Sequence, residues 1–241
     1  MTGIILAAGK SKRMGLAHSK VLLPLNGRPV LQWIIDLARN ANLSPILVVV
    51  GPQSQDIQEK FSSQNVQFII QQEQKGTADA VMSCSDKLKL NDDILILYGD
   101  TPLLQQSTIK QLIDTYHKEN ADCVLLTAHF PNPFGYGRIV RNQNNDITAI
   151  IEEKDADDQI RKIKEINVGL YIFRYARLAP VLKTLKPSPV NGEYYLTTAL
   201  TELINQGCKI KSVTTDNPDQ MRGINTPEDW EKVQKVFKLM Q

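Results

Sequence analysis

The sequence predicts an α/β fold: a mostly parallel central sheet with helices on both faces and a smaller β-rich lobe inserted in its second half. Three observations predict it. Through about residue 130, short runs of branched apolar residues alternate with segments whose apolar positions recur at helical spacing, and the connections are short. One run, Ile46–Val50, is apolar throughout, as expected of a strand covered on both faces. Beyond that point the alternation gives way to strand candidates joined by polar turns, such as Gly137–Arg141 and Ile147–Glu153 around Asn142–Asp146.

Taken in order, Thr2–Leu6 is the first strand, and it empties into a loop with two glycines, Gly9 and Gly15, and the cations Lys10, Lys12, Arg13 and Lys20. Glycine tolerates positive φ, so such a loop can turn its N–H groups toward an anion, while the cations supply charge for a polyphosphate. A solvated basic turn is the plainer reading of the same residues. Pro29 suits the first position of a helix carrying Val30, Ile34, Ile35 and Ala38 on one face. Ile46–Val50 is the second strand, Ile57 and Phe61 mark a short helix, and Val66–Ile70 is the third strand. Thr77 can cap a helix running on to Leu88. Ile94–Tyr98 and Cys123–Ala128 are the next strands, with a helix opening at Ser107 between them. Later come a strand over Ile166–Phe173, helices over Leu178–Leu185 and Leu196–Ile204, and a strand over Ile210–Thr214. Thr226-Pro227-Glu228-Asp229 opens a last helix with a hydroxyl cap, a proline and two acids in its first turn. The expected organisation is one domain over 1–241: a first half to about 130, a more β-rich second half to about 225, and the terminal helix.

Composition narrows the function classes. With 42% hydrophobic and 22% charged residues, 241 residues suffice for a substantial core. A net charge of +2 with no basic face argues against a nucleic-acid binder. No apolar run approaches the roughly 20 residues of a membrane span. Cys84, Cys123 and Cys208 lack metal-ligand spacing and read as structural thiols of a reducing compartment, so a cytoplasmic protein is expected.

Ligands of parallel sheets bind beyond the carboxyl ends of the strands. Three loops at such ends are distinctive, 7–20, 71–77 and 99–104, and they are expected to converge. Leu6-Ala7-Ala8-Gly9 offers small side chains against which a planar base can lie, and it is neither a phosphate-binding GxxxxGK nor a dinucleotide GxGxxG motif. Gln71 carries a donor and an acceptor suited to a uracil-like edge; Gly76 permits close approach, and Thr77 can bond ligand. In Tyr98-Gly99-Asp100, a carboxylate at a strand's end can hold Mg²⁺, or close an Asx turn.

With these residues in view, the chain resembles the uridyltransferase part of bacterial N-acetylglucosamine-1-phosphate uridyltransferase, in the Rossmann-like nucleotide-diphospho-sugar transferase superfamily. The matching motifs run in order: Leu6–Gly9 with Arg13-Met14 and Lys20, Gln71–Thr77, Tyr98–Asp100, Gly135–Arg138, Ile151-Glu152, Glu165–Gly169, Gly192–Thr197 and Gly223–Asn225. The resemblance implies transfer of UMP from UTP to N-acetylglucosamine 1-phosphate with Mg²⁺ as cofactor. It implies nucleotide contacts at Leu6, Ala7, Ala8, Gly9, Gln71, Gly76, Thr77, Tyr98, Gly99 and Asp100, and catalytic roles for Arg13 and Lys20. It further implies sugar contacts at Gly137, Glu152 and Asn167, and metal ligands Asp100 and Asn225. On the residues alone, Glu152 also reads as an exposed strand carboxylate, Asn167 as a turn former and Asn225 as part of a turn. Another sugar 1-phosphate, or a non-catalytic sugar-nucleotide sensor, is the alternative function; the oligomeric state is left open.

Two departures from the family pattern stand out. Ser11-Lys12 replaces a usual Gly-Thr, so a left-handed backbone position there would cost about 1 kcal/mol more. The hexapeptide repeats of the family's acetyltransferase part are missing, so acetyl transfer is not expected of this chain.

Overall fold

The computed structural model describes residues 1–15 and 18–240. Strand β1 (Thr2–Leu6) is followed by a short antiparallel pair, β2 (Pro24–Leu25) and β3 (Arg28–Pro29), and by helix α1 (Val30–Asn40). Then come β4 (Ile46–Val50), α2 (Gln55–Lys60), β5 (Gln67–Ile70), α3 (Thr77–Met82), β6 (Asp93–Tyr98), α4 (Gln106–Glu119) and β7 (Cys123–His129). The second half adds β8 (Arg138–Arg141), β9 (Ile147–Ile151), α5 (Asp158–Arg161), β10 (Glu165–Arg174), α6 (Tyr175–Thr184), α7 (Leu196–Asn205), β11 (Ile210–Thr215) and α8 (Pro227–Leu239).

One sheet runs in the order β11-β7-β10-β6-β1-β4-β5. Its β6-β1-β4-β5 portion is parallel, and β11 pairs parallel with β7. Strand β10 wedges between β6 and β7 antiparallel to both, and the β8–β9 hairpin attaches to it as the inserted lobe. The strand periodicity of two explains the two main cores. Ile4, Leu47, Val49, Ile94 and Ile96 pack on one face with α6 and α7 residues, whereas Ile5, Val48, Val50, Leu95 and Leu97 pack on the other with α1 and α4. A third cluster, around Leu25, Val30, Leu103, Ile224 and Val233, seats α8 against α1.

Helix ends differ locally from the sequence expectation. Pro29 is the N-cap of α1 and Val30 its first residue, because Pro29 still pairs with Pro24 in the short β2–β3 ribbon. Thr77 opens α3 rather than capping it: the N-cap is Gly76 at φ 101°, and the Thr77 hydroxyl accepts from Leu196 N–H at 3.1 Å. That helix stops at Met82 and a separate 3-10 turn spans Ser85–Lys87, short of the expected Leu88. Helix α8 has the expected capping box, with Asp229 N–H donating to Thr226 Oγ1 at 3.2 Å and Thr226 N–H to Asp229 Oδ2 at 2.9 Å.

Strand β10 is not continuous. Its pairing with β7 shifts between Asn167 and Tyr171, and Gly169 there sits at φ 85°. A Cβ on Gly169 would lie 2.6 Å from the ring of Tyr98, so only glycine lets this strand pass the end of β6. Cys84 and Cys123 are buried and Cys208 half-buried; burial pushes the Cys84 thiol up to about 12, which keeps it protonated and inert. Among the described residues no helix is long and apolar enough to cross a membrane.

Candidate active site

The carboxyl ends of β1, β5 and β6 open into one cavity of about 550 Å³. The three loops singled out in the sequence do converge there. The first contributes Leu6, Ala7, Ala8, Gly9, Lys10 and Lys20, the second Gln71, Gln74, Gly76 and Thr77, and the third Tyr98 and Asp100. Gly99 does not line it: its N–H donates to Leu6 C=O at 2.9 Å, and a Cβ on it would press within 3.1 Å of Ala7. It is a packing glycine between β6 and β1, one step behind the cavity surface.

Lys20 stands at the centre of a charged cluster. Its ammonium donates to the Asp100 carboxylate and, at 2.9 Å, to Asn225 Oδ1. Arg13 also donates to Asn225 Oδ1, at 3.1 Å, and borders an adjoining cavity of about 230 Å³ with Gly9, Lys10, Ser11, Lys20 and Asn225. Arg13 thus reaches the site from its rim, not from inside the larger cavity. Close packing of Gly223, whose Cβ would lie 3.7 Å from both Asp100 oxygens, brings the chain before α8 up to β6. Asp100 and Asn225, 125 positions apart, meet because of it.

The loop behind Lys20 resolves the Ser11 departure. Among the described loop residues the left-handed positions are Ser11 at φ 51° and Gly15 at φ 62°; Gly9 is not one of them. A left-handed serine costs about 1 kcal/mol relative to glycine. Its hydroxyl accepts from Lys20 N–H at 3.0 Å, a bond glycine could not make and one that offsets the strain. The charge expected of Lys12 rests on a side chain outside the described residues, as do loop positions 16 and 17.

Gly137, Glu152 and Asn167 line neither cavity but lie together. Gly137 C=O accepts from Asn167 N–H at 2.8 Å, and a Cβ on Gly137 would lie 3.5 Å from Glu152 Oε2. Asn167 donates to the Tyr171 hydroxyl at 2.6 Å, and its Oδ1 accepts from Gly169 N–H at 3.2 Å, which fixes the β10 irregularity. Tyr98 joins this group to the main cavity through its contact with Gly169. Burial pushes the Tyr98 hydroxyl well up, and the Asp100 and Glu152 carboxylates add to the shift. It is a neutral hydrogen-bonding group throughout the physiological range.

Sequence reasoning gave no role to the segment that ties the two groups. Tyr194 N–H donates to Lys75 C=O at 2.7 Å and Tyr194 C=O accepts from Ala78 N–H at 2.9 Å. Three residues on, the Thr197 hydroxyl donates to Glu152 Oε1 at 2.7 Å. Glu193 and Tyr195 line the cavity, and Lys154 reaches over the Tyr195 ring, 4.8 Å from its centre. Gln74 was likewise missed; its amide donates to Ala8 C=O and spans the second and first loops. Main-chain clasps carry no residue-type signature, although the run Glu193-Tyr194-Tyr195-Leu196-Thr197 was visible as a motif.

Fold and site together define a class: a Rossmann-like mixed sheet with a cavity at the carboxyl ends of its parallel strands, the architecture of nucleotidyltransferases. In overall structure the chain is similar to a putative glucose-1-phosphate thymidylyltransferase from Bacillus anthracis, with a TM-score of 0.79 at 20% identity over 98% of this chain and 94% of that one. It is similar also to a UDP-glucose pyrophosphorylase, with a TM-score of 0.80 at 16% identity over 100% and 99%. Residues 3–166 match the family described as the MobA-like NTP transferase domain, and the chain belongs to that family. In sequence it is 39% identical over 99% of its length to the bifunctional protein GlmU of Aquifex aeolicus, and 41% identical over 99% to that of Thermosipho africanus. Those stretches are 53% and 51% of the respective proteins, so the chain spans about half the length of the curated relatives it matches.

Proposed function

We propose that this chain transfers UMP from UTP to a sugar 1-phosphate, N-acetylglucosamine 1-phosphate first among candidates, releasing pyrophosphate. The observation that carries the reading is the meeting of Lys20, Asp100 and Asn225, with Arg13 at the rim, in a cavity that Gln71, Gly76 and Thr77 also line. Cations and oxygen ligands thus share one cavity with the amide of Gln71. The extent of identity to GlmU proteins supports uridine and N-acetylglucosamine as the first pair to test.

The donor set suits Mg²⁺. Two oxygens, one from a carboxylate and one from a carboxamide, already converge on a single cationic nitrogen, that of Lys20. Among the described residues no cluster of three or more His, Cys, Asp or Glu side chains competes as a metal site. Asp100 and Asn225 would hold the ion, which when bound neutralises phosphate charge as a Lewis acid. The chain's own groups do the remainder. Gln71, Gly76 and Thr77 would hold the base, and Glu152, Gly137 and Asn167 would orient the sugar hydroxyls by hydrogen bonds. Lys20 and Arg13 would screen the repulsion of two polyanions and stabilise charge developing at the α-phosphorus. A sugar-phosphate oxygen attacks that phosphorus in line; the new P–O bond replaces the bond to the β-phosphate, and pyrophosphate departs. The nucleophile is already anionic, so no general base is needed.

The test is pyrophosphate release with Mg²⁺ across UTP, dTTP, CTP, ATP and GTP, each with N-acetylglucosamine, glucose and galactosamine 1-phosphates. UTP with N-acetylglucosamine 1-phosphate is expected to give the highest kcat/KM. Faster release from another pair would replace the substrates, and none across the panel would overturn the enzymatic reading.

A further inference from the structure

Gln71 directly follows β5 on the cavity wall and is 3% exposed. Its amide nitrogen donates to Gly76 C=O at 2.9 Å and to Asp79 Oδ2 at 2.6 Å. A primary amide has two N–H donors, and both are used. Turning the amide over would set its carbonyl against two acceptors, so the orientation is fixed by its neighbours. Gln71 Oε1 is not among the buried side-chain atoms that lack a partner, and no described residue donates to it; it opens to the cavity.

Asp79 lies in the first turn of α3, outside the cavity lining, where the same Oδ2 also accepts from Lys75 N–H at 3.0 Å. Lys75 N–H therefore aims the carboxylate, and the carboxylate aims the amide. At this point the cavity can accept a hydrogen bond but cannot donate one. A uracil or thymine ring presents N3–H there and is satisfied. A cytosine ring presents the N3 lone pair, which would face the Gln71 oxygen unpaired in a buried place.

We propose that Asp79 is a positioning residue that holds Gln71 as an acceptor only, and so makes the site select a base with an N3–H over cytosine. The inference rests on the reading of this cavity as a nucleotide site and goes beyond it in naming what sets the choice of base.

The test compares kcat/KM for UTP and CTP with one sugar 1-phosphate in the wild type, Asp79→Asn and Asp79→Leu. Asp79→Asn is expected to keep the UTP preference, because Lys75 N–H still turns an oxygen toward Gln71. In Asp79→Leu the amide is held by Gly76 alone and can rotate, and the UTP:CTP ratio is expected to fall about tenfold or more. An unchanged ratio, with both nucleotides losing activity together, would overturn the proposal and leave Asp79 as an α3 end residue only. If Asp79→Leu does not fold, Asp79→Ser serves; serine suits a helix start but is too short to reach Gln71, and the same fall is expected. Should the wild type release no pyrophosphate from any nucleotide, the proposed activity fails, and calorimetric binding of UTP and CTP to the same proteins decides the inference separately. A wild type that prefers CTP in either assay overturns it.

Discussion

The two ends of the candidate site are built by opposite means. At the proposed phosphate end, Lys20, Arg13, Asp100 and Asn225 are side chains from separate loops that bond to one another beside the open cavities. At the proposed sugar end, Gly137, Asn167 and Gly169 act through the main chain: a carbonyl–amide bond, a strand irregularity and a glycine on which Tyr98 rests. The first end is an arrangement of charges carried by the fold; the second is part of the fold. Substitutions at the phosphate end should therefore lower turnover with little change in stability. At the sugar end, function and stability should fall together.

Lys20→Ala breaks the comparison most directly if it fails. Loss of a cation facing developing phosphate charge is expected to lower kcat/KM by about 10²-fold or more. Lys20 and Asp100 are only 12% and 15% exposed but border the open cavity, whose water can solvate the Asp100 carboxylate left behind, so the folding free energy should change by no more than about 1 kcal/mol. Steady-state kinetics beside urea unfolding check both. Near-normal turnover would remove Lys20 from the mechanism, and a large stability loss would make the phosphate end structural too.

Gly169→Ala probes the other end. The methyl would be forced at φ 85° and within 2.6 Å of the Tyr98 ring. The left-handed backbone alone costs about 1–2 kcal/mol, and displacing Tyr98 adds to it. A total near 2 kcal/mol should lower Tm by about 4–8 °C in a chain of this size. Turnover should fall as well, since the displaced ring lies on the cavity. A variant that melts normally would show β10 to be as adaptable as the loops opposite.

The same contrast explains what could be read from the chain. Runs such as Ile46–Val50 and Ile94–Tyr98 declare themselves by local pattern, and the rule that ligands sit at the carboxyl ends of parallel strands then brings Leu6, Gln71 and Asp100 to one place. Side-chain chemistry singled out Lys20 and Arg13 for the same reason. The position of β10 between β6 and β7 was not legible, because no local pattern encodes strand order. The Tyr194 clasp was equally hidden, being made by backbone atoms any residue supplies. Gly169 was a signal within reach: an isolated glycine inside a strand run marks a bulge or a close approach, and here it is both. Thr77 was misread because its hydroxyl has a tertiary partner, Leu196 N–H, that propensity cannot see.

A smaller effect sharpens the comparison at the junction of lobe and sheet. Arg141 on β8 donates to both oxygens of Glu165 on β10, at 2.8 and 2.6 Å, and to Ser212 on β11 at 2.8 Å. Burial pushes the Glu165 carboxyl up, but the Arg141 hydrogen bonds and charge outweigh it, and the net shift is downward from 4.5. A carboxyl whose folded value lies below its unfolded one contributes stability that is fully present above the unfolded value and is lost as pH falls through the folded one. The contribution should therefore hold at neutral pH and decline below about pH 4.5, loosening the junction of β8 with β10. Glu165→Gln cannot gain or lose that charge. Its melting temperature should lie a few degrees below wild type at pH 7 and converge with it toward pH 3. A constant gap between the two curves would mean that Glu165 stabilises the junction by shape and hydrogen bonding, and not by its charge.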